Sequence, residues 1–214
     1  YAVYIGDFLF CVCFKILASS SSLQSIKIDS NSMSRICLGE INQLNSMFDT
    51  KLSVKDYLNR ISGKTAELFS LSLYTGAAES GCSDALSKQF WKIGHNIGMA
   101  FQIIDDVLDY VGTDDSIKKP AASDLKQGIF TLPFIYAAKK NRNAFKHYLE
   151  KESFSDEDVK NIISLVNKYE GIKDAKELAN KYTKKAFKLI DNLPENPYKT
   201  VLKEVAEKLL LRSY

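Results

Sequence analysis

At 214 residues, with 45% hydrophobic and 26% charged side chains, the chain has the composition of a globular domain with ample material for a buried core. Its net charge of +3 is the difference between 29 basic and 26 acidic residues, a balance that excludes a basic nucleic-acid groove but suits an anionic small substrate. The four cysteines (Cys11, Cys13, Cys37, Cys82) form no CxxC pair and there are two histidines, which argues against a disulfide framework and a zinc site and fits a cytoplasmic location.

In chain order, nearly every segment predicts helix, with four prolines and ten glycines falling mainly where helices should stop. The opening stretch is apolar, but Asp7 and Lys15 interrupt it and no basic flank or cleavage region accompanies it. It is expected as a core helix over 2–19, not as a membrane span or a signal peptide. The chain starts at Tyr and enters this helix at once, which reads as a sequence with residues removed ahead of it. A second helix is expected over 32–48 after a Ser-rich turn, and a third from Ser53, where Ser53-Val-Lys-Asp56 resembles a capping box. The fourth covers 63–79, with Gly81 behind it, and the fifth runs from 83 to 111, ended by Gly112. The polar stretch 112–130 is long enough to be a functional loop. Thr131 then caps a helix with Pro133 in its first turn. Ser155-Asp-Glu-Asp158 opens another, Gly171 ends it, a helix over 172–192 follows, and Pro197 starts the last. No strand and no internal repeat is expected, so the fold class is all-α.

The most informative segment is Phe101-Gln-Ile-Ile-Asp-Asp-Val-Leu-Asp109. Asp105 and Asp109 are four residues apart, so on a helix they share a face about 6 Å apart along the axis. Two carboxylates that close repel unless a cation sits between them, and hard oxygen ligands suit Mg²⁺. Gly94, Gly98, Gln102, Asp105 and Asp109 fall within roughly 80° of one another around the helix, with Asp106 further round. The two glycines permit either of two readings: space beneath a metal-binding mouth, or close packing of a neighbouring helix. In the loop that follows, Lys119 can reach a diphosphate held at the aspartates, and Asp124 can hold a metal-bound water.

The ordered blocks GD (Gly6-Asp7), GExxQ (Gly39, Glu40, Gln43), YLxxIxxKTAxLF (Tyr57 to Phe69), FQIIDDVLD and KPAASDLKQGxxTLP (Lys119 to Pro133) resemble the trans-isoprenyl diphosphate synthase family, and within it the long-chain polyprenyl branch of bacterial quinone biosynthesis. That resemblance implies a bundle of long antiparallel helices around a central cavity. It implies that Asp105, Asp106 and Asp109 bind Mg²⁺ bridging to an allylic diphosphate. It also implies that Lys64, Thr65, Gln102 and Lys119 contact the allylic substrate, with Thr65 and Gln102 bearing on the carbocation. The expected reaction joins isopentenyl diphosphate to an allylic prenyl diphosphate and yields a longer polyprenyl diphosphate for quinone side chains such as that of menaquinone. Asp7 is expected in a supporting role, and Glu40 with Gln43 either at the site or in a polar network between helices. Phe8, Phe10, Phe14, Phe69 and Phe101 can line a tunnel or simply fill the core.

The family carries two aspartate-rich motifs, and this sequence holds one. The 214 residues are therefore expected as a single isoprenoid-synthase-like domain without its N-terminal helices, inactive as a condensing enzyme on its own, with product length unreadable. Either a homodimer or a heterodimer with a small unlike subunit is expected, with no nucleic-acid partner. Two other readings remain open: a terpene cyclase on the same scaffold, and a non-catalytic partner subunit of a heteromeric synthase.

Overall fold

The computed structural model describes residues 1–20, 22–111 and 122–210, and among these the only regular secondary structure is helical. Local sequence accounts for several helix starts. Ser53 is extended (φ −93°, ψ 164°) ahead of α3 (Val54–Ile61). Its hydroxyl accepts from Asp56 N at 3.2 Å, while the Asp56 carboxylate accepts from Ser53 N at 3.1 Å, a reciprocal cap. Ser155 and Asp158 repeat the arrangement at the head of α9 (Asp156–Lys168). Both caps stand where the sequence placed them, because a capping box is contained in four consecutive residues.

Elsewhere the boundaries move. α2 (Leu23–Asn45) starts well ahead of the expected residue 32, capped by Ser22, whose hydroxyl accepts from Ser25 N at 3.1 Å. Its extra turns are held through polar groups: Ser25 Oγ donates to Glu79, and at the expected start Ser32 Oγ donates to Glu67 Oε1 at 2.9 Å. Apolar periodicity does not register such a seam. The expected fourth helix divides into a π-helical turn (Ser62–Ala66) and α4 (Glu67–Glu79). Beyond α5 (Asp84–Val111) lie the short α6 (Ser123–Lys126) and α7 (Leu132–Lys140). Thr131 precedes α7 but makes no side-chain cap; its hydroxyl reaches Tyr110 instead, at 3.4 Å. The sequence did not anticipate α8 (Arg142–Leu149), capped by Asn141. The stop assigned to Gly171 falls one residue earlier, on Glu170 at φ 55°. Gly171 instead opens α10 (Gly171–Asp191), where a Cβ would collide with Pro133 O and meet Ala137 Cβ at 3.0 Å. Its lack of a side chain serves a helix contact, not a left-handed turn. α11 (Pro197–Leu210) closes the described chain.

α5, about 42 Å long at its length of 28 residues, is the axle of the bundle. α4 and α10 make the most extensive contacts with it. Its upper half contributes Met99, Ile103, Val107 and Tyr110 to one apolar cluster, filled from the other side by Phe130, Phe134, Phe145 and Ile162. Its lower half contributes Ile93, Ile97 and Ala100 to a second, with Ala186, Ile190, Ala206 and Leu210. Burial on this scale is the main stabilising term.

α1 (Ala2–Ser20) does not behave as the expected core helix. Tyr4, Phe8, Leu9 and Ile16 are exposed, and Val12, Phe14 and Leu17 only half-buried. Residues Ala2–Ser19 are long and apolar enough to cross a membrane by length and composition. Hydropathy reports that a helix needs cover but does not identify the surface that supplies it.

Candidate active site

The π turn determines where Lys64 and Thr65 stand. Such wide turns cost hydrogen-bond geometry and recur at functional positions. Gly63 and Gly39 let this turn touch α2 backbone to backbone: a Cβ on Gly63 would lie 3.1 Å from Arg35 O and 3.5 Å from Gly39 Cα. The contact brings Glu40 against Lys64, whose Nζ is 3.0 Å from Oε2. Glu40 is exposed and spends its charge on Lys64, not on a network with Gln43.

α4 and the π turn lie directly on α5. A Cβ on Gly98 would stand 2.6 Å from Ala66 Cα, and one on Gly94 would collide with the Phe69 backbone. Of the two readings open for these glycines, close helix packing is the one realised. That approach lets Thr65 and Gln102 meet. Thr65 Oγ1 donates to Gln102 Oε1 at 2.6 Å, and Gln102 Nε2 donates to Asp106 Oδ1 at 2.7 Å. Tyr57 completes the line from α3, its hydroxyl donating to Asp106 Oδ2 at 2.5 Å. Below Thr65 and Gln102, the half-buried Phe69 and Phe101 rings meet with centroids 5.4 Å apart. Phe8 and Phe10 are exposed, and Phe14 is half-buried.

The three aspartates of the motif are not equivalent. Asp106 is 4% exposed with both oxygens engaged by protein donors, so it faces the interior, whereas the sequence grouped it with two other metal ligands. The reason is its place four residues beyond Gln102 and opposite Tyr57. Burial pushes its carboxyl up to about 7, against the pull of the Tyr57 and Gln102 hydrogen bonds. Asp109 is half-buried and accepts from Ser123 N at 3.2 Å and Asp124 N at 3.3 Å, so it anchors the start of α6. Burial, followed by the nearby Asp124 charge, moves it up to about 6, and Asp105 pushes the same way. Asp105 itself is exposed. Asp7 is exposed on α1, and Lys119 lies outside the described residues. Among the described residues no three His, Cys, Asp or Glu side chains stand close enough to hold an ion by themselves.

Two participants were missed in the sequence. Tyr57 entered only as the first letter of a block, and Arg60 did not enter at all. Arg60 is 4% exposed, donates to Ser46 Oγ at 3.0 Å and Phe130 O at 2.9 Å, and lies 5.5 Å from the Tyr57 ring centroid. Their i, i+3 spacing on α3 was the available signal.

The family profile described as Polyprenyl synthetase matches residues 1–166. The heptaprenyl diphosphate synthase component 2 of Geobacillus stearothermophilus is 32% identical over 214 residues, which cover 100% of this chain and 67% of that protein. The crystal structure of heptaprenyl diphosphate synthase from Staphylococcus aureus superposes with a TM-score of 0.93 at 33% identity, over 100% of this chain and 67% of that one. The polyprenyl synthase of Caulobacter crescentus CB15, solved with calcium and isoprenyl diphosphate, gives a TM-score of 0.90 at 30% identity, over 98% of this chain and 65% of that one. The chain thus spans about two-thirds of the length of the proteins it matches.

Proposed function

Since the chain belongs to the polyprenyl synthetase family, we propose that it carries the allylic-diphosphate site of an enzyme that condenses isopentenyl diphosphate with an allylic prenyl diphosphate. The product is a longer polyprenyl diphosphate, destined for a quinone side chain. The observation that carries this reading is the hydrogen-bonded run Thr65–Gln102–Asp106, set one turn or less from Asp105 and Asp109. An oxygen-rich wall beside a carboxylate pair suits a reaction in which diphosphate leaves and positive charge develops on carbon.

The donor set fits a hard divalent cation. Asp105 and Asp109 are carboxylates on consecutive turns, and Asp109, raised first by burial, is pushed further the same way by the negative charges of Asp124 and Asp105 at the end of α5. Mg²⁺ typically takes one or two carboxylates and completes its shell with substrate phosphate and water, so Asp105 and Asp109 are the proposed ligands. The calcium and isoprenyl diphosphate bound to the Caulobacter relative support the same chemistry here. Bound there, the ion would neutralise the departing diphosphate.

The chain's own groups do the rest. Lys64 and Lys119 hold the diphosphate, and Lys64 leaves Glu40 to do so. When the allylic C–O bond breaks, its electron pair departs with the diphosphate. The oxygens of Thr65 and Gln102 face the allylic cation. The double bond of isopentenyl diphosphate supplies the pair for the new C–C bond, and the proton then lost from its C2 passes to the released diphosphate. The Phe69–Phe101 pair keeps water from the cation. Asp106 anchors Gln102 from behind.

Assembly with a second chain is part of the proposal, either like or small and unlike. The Geobacillus relative's description as component 2 supports the unlike partner. The test is incubation of the full-length protein, alone and with a candidate partner, with labelled isopentenyl diphosphate, an allylic primer and Mg²⁺. Labelled product longer than the primer is expected. An unlabelled cyclic hydrocarbon would instead identify a cyclase, and primer returned unchanged in every combination would identify a non-catalytic subunit.

A further inference from the structure

Tyr57 is fully buried, yet its hydroxyl is aimed at a carboxylate that is itself 4% exposed. Burying two such groups against each other costs free energy that a phenylalanine opposite a leucine would not, so the pair calls for a reason beyond packing. The hydrogen bonds around it have one direction. A phenol and an amide N–H both donate to Asp106, and this fixes the Gln102 amide with its nitrogen toward Asp106. Its carbonyl oxygen must then face Thr65, and Thr65 spends its only proton on that oxygen at 2.6 Å. The result is a Thr65 oxygen that presents lone pairs, not a proton, to whatever lies in front of it.

We propose that Tyr57 is a positioning residue for the condensation step: by anchoring Asp106 it locks the amide of Gln102 and thereby turns the lone pairs of Thr65 and Gln102 toward the substrate. The inference rests on the prenyl-condensing reading above. It concerns orientation, since Tyr57 lies three links from the reacting carbon and touches neither substrate nor metal. Without the phenol, Asp106 keeps a single protein donor and can swing. Gln102 can then flip, its N–H groups turning toward Thr65. An N–H dipole there opposes developing positive charge instead of stabilising it.

The substitution Tyr57→Phe removes one oxygen and keeps the ring beneath Arg60. In the full-length enzyme the expected result is a single-turnover condensation rate lower by roughly 10- to 100-fold, the range for losing a hydrogen bond to a charged group. KM for isopentenyl diphosphate should stay within about twofold. Because the effect travels through the Gln102 amide, adding Tyr57→Phe to Gln102→Leu should slow that variant no further, a non-additivity that a purely structural role would not produce. If the two substitutions multiply, or if Tyr57→Phe lowers only the melting temperature and leaves the rate per folded molecule unchanged, the role assigned to Tyr57 is wrong. A wild-type enzyme that incorporates no labelled isopentenyl diphosphate would overturn the condensation reading itself, and this inference with it.

Discussion

Replacing Gly98 by alanine sets two effects of opposite sign against each other. Alanine in a helix interior gains about 1 kcal/mol over glycine. Against that, the π turn at the head of α4 would have to withdraw by roughly 0.8 Å for the 2.6 Å approach to Ala66 Cα to reach the 3.4 Å at which ordinary contact begins. The obstacle is backbone, which no rotamer change can move aside, and overpacking of this kind costs about 1–3 kcal/mol. With Phe69 and the Ala66 methyl also inside 3.4 Å, the upper part of that range applies. The net expectation is a loss of about 1–2 kcal/mol, or a melting temperature lower by about 2–8 °C for a chain of this size. The same withdrawal would stretch the Thr65–Gln102 hydrogen bond from 2.6 Å to roughly 3.4 Å, past the useful range for O–H···O. Turnover should therefore fall alongside stability. Thermal unfolding followed by circular dichroism, with the condensation assay run on the same preparation, measures both. A Gly98→Ala protein that melts higher than wild type would refute the close-approach reasoning and leave helix propensity as the controlling term.

Other perturbations separate the site from the scaffold. Asp105→Ala should abolish Mg²⁺-dependent turnover in the full-length protein with an unchanged far-ultraviolet spectrum, because Asp105 is exposed; retained activity would remove it from the site. Arg60→Met keeps the apolar stem but strands the buried Phe130 carbonyl and Ser46, and should cost about 2–4 kcal/mol; a melting temperature equal to wild type would contradict this. Asp106 and Asp109, pushed up to about 7 and about 6 by burial and neighbouring charge, bind protons more tightly folded than at their ordinary 3.8. Their contribution therefore favours the metal-free fold at low pH and is lost as pH rises from about 4 through 7. Melting temperatures at pH 5 and pH 8 should show this loss, Asp106→Asn should flatten it, and Mg²⁺ with inorganic diphosphate should oppose it at pH 8. A wild-type stability no more pH-dependent than that of Asp106→Asn would count against the assignment.

What the sequence determined by itself was whatever is encoded within a few consecutive residues. The two capping boxes, the long apolar run of α5 and the spacing of Asp105 and Asp109 are local facts, and so was the all-helical class. Tertiary structure decided the rest, because each remaining question turns on what stands opposite. Gly94 and Gly98 are compatible with a cavity or a contact until α4 is seen against them. Asp106 stood away from the Gly94–Asp109 stripe on a helical wheel, but Tyr57 and Gln102 draw it inward and make it an anchor. α2 extends to Leu23 because buried serines and Asp29 face polar groups on α4, a pattern invisible to hydropathy. Lys64 and Thr65 sit on a π turn that no residue code announces; it is stabilised by the backbone contact between Gly63 and Gly39. Hydrogen-bond direction and close backbone approach depend on pairs of residues tens of positions apart, and no single stretch of chain specifies a pair.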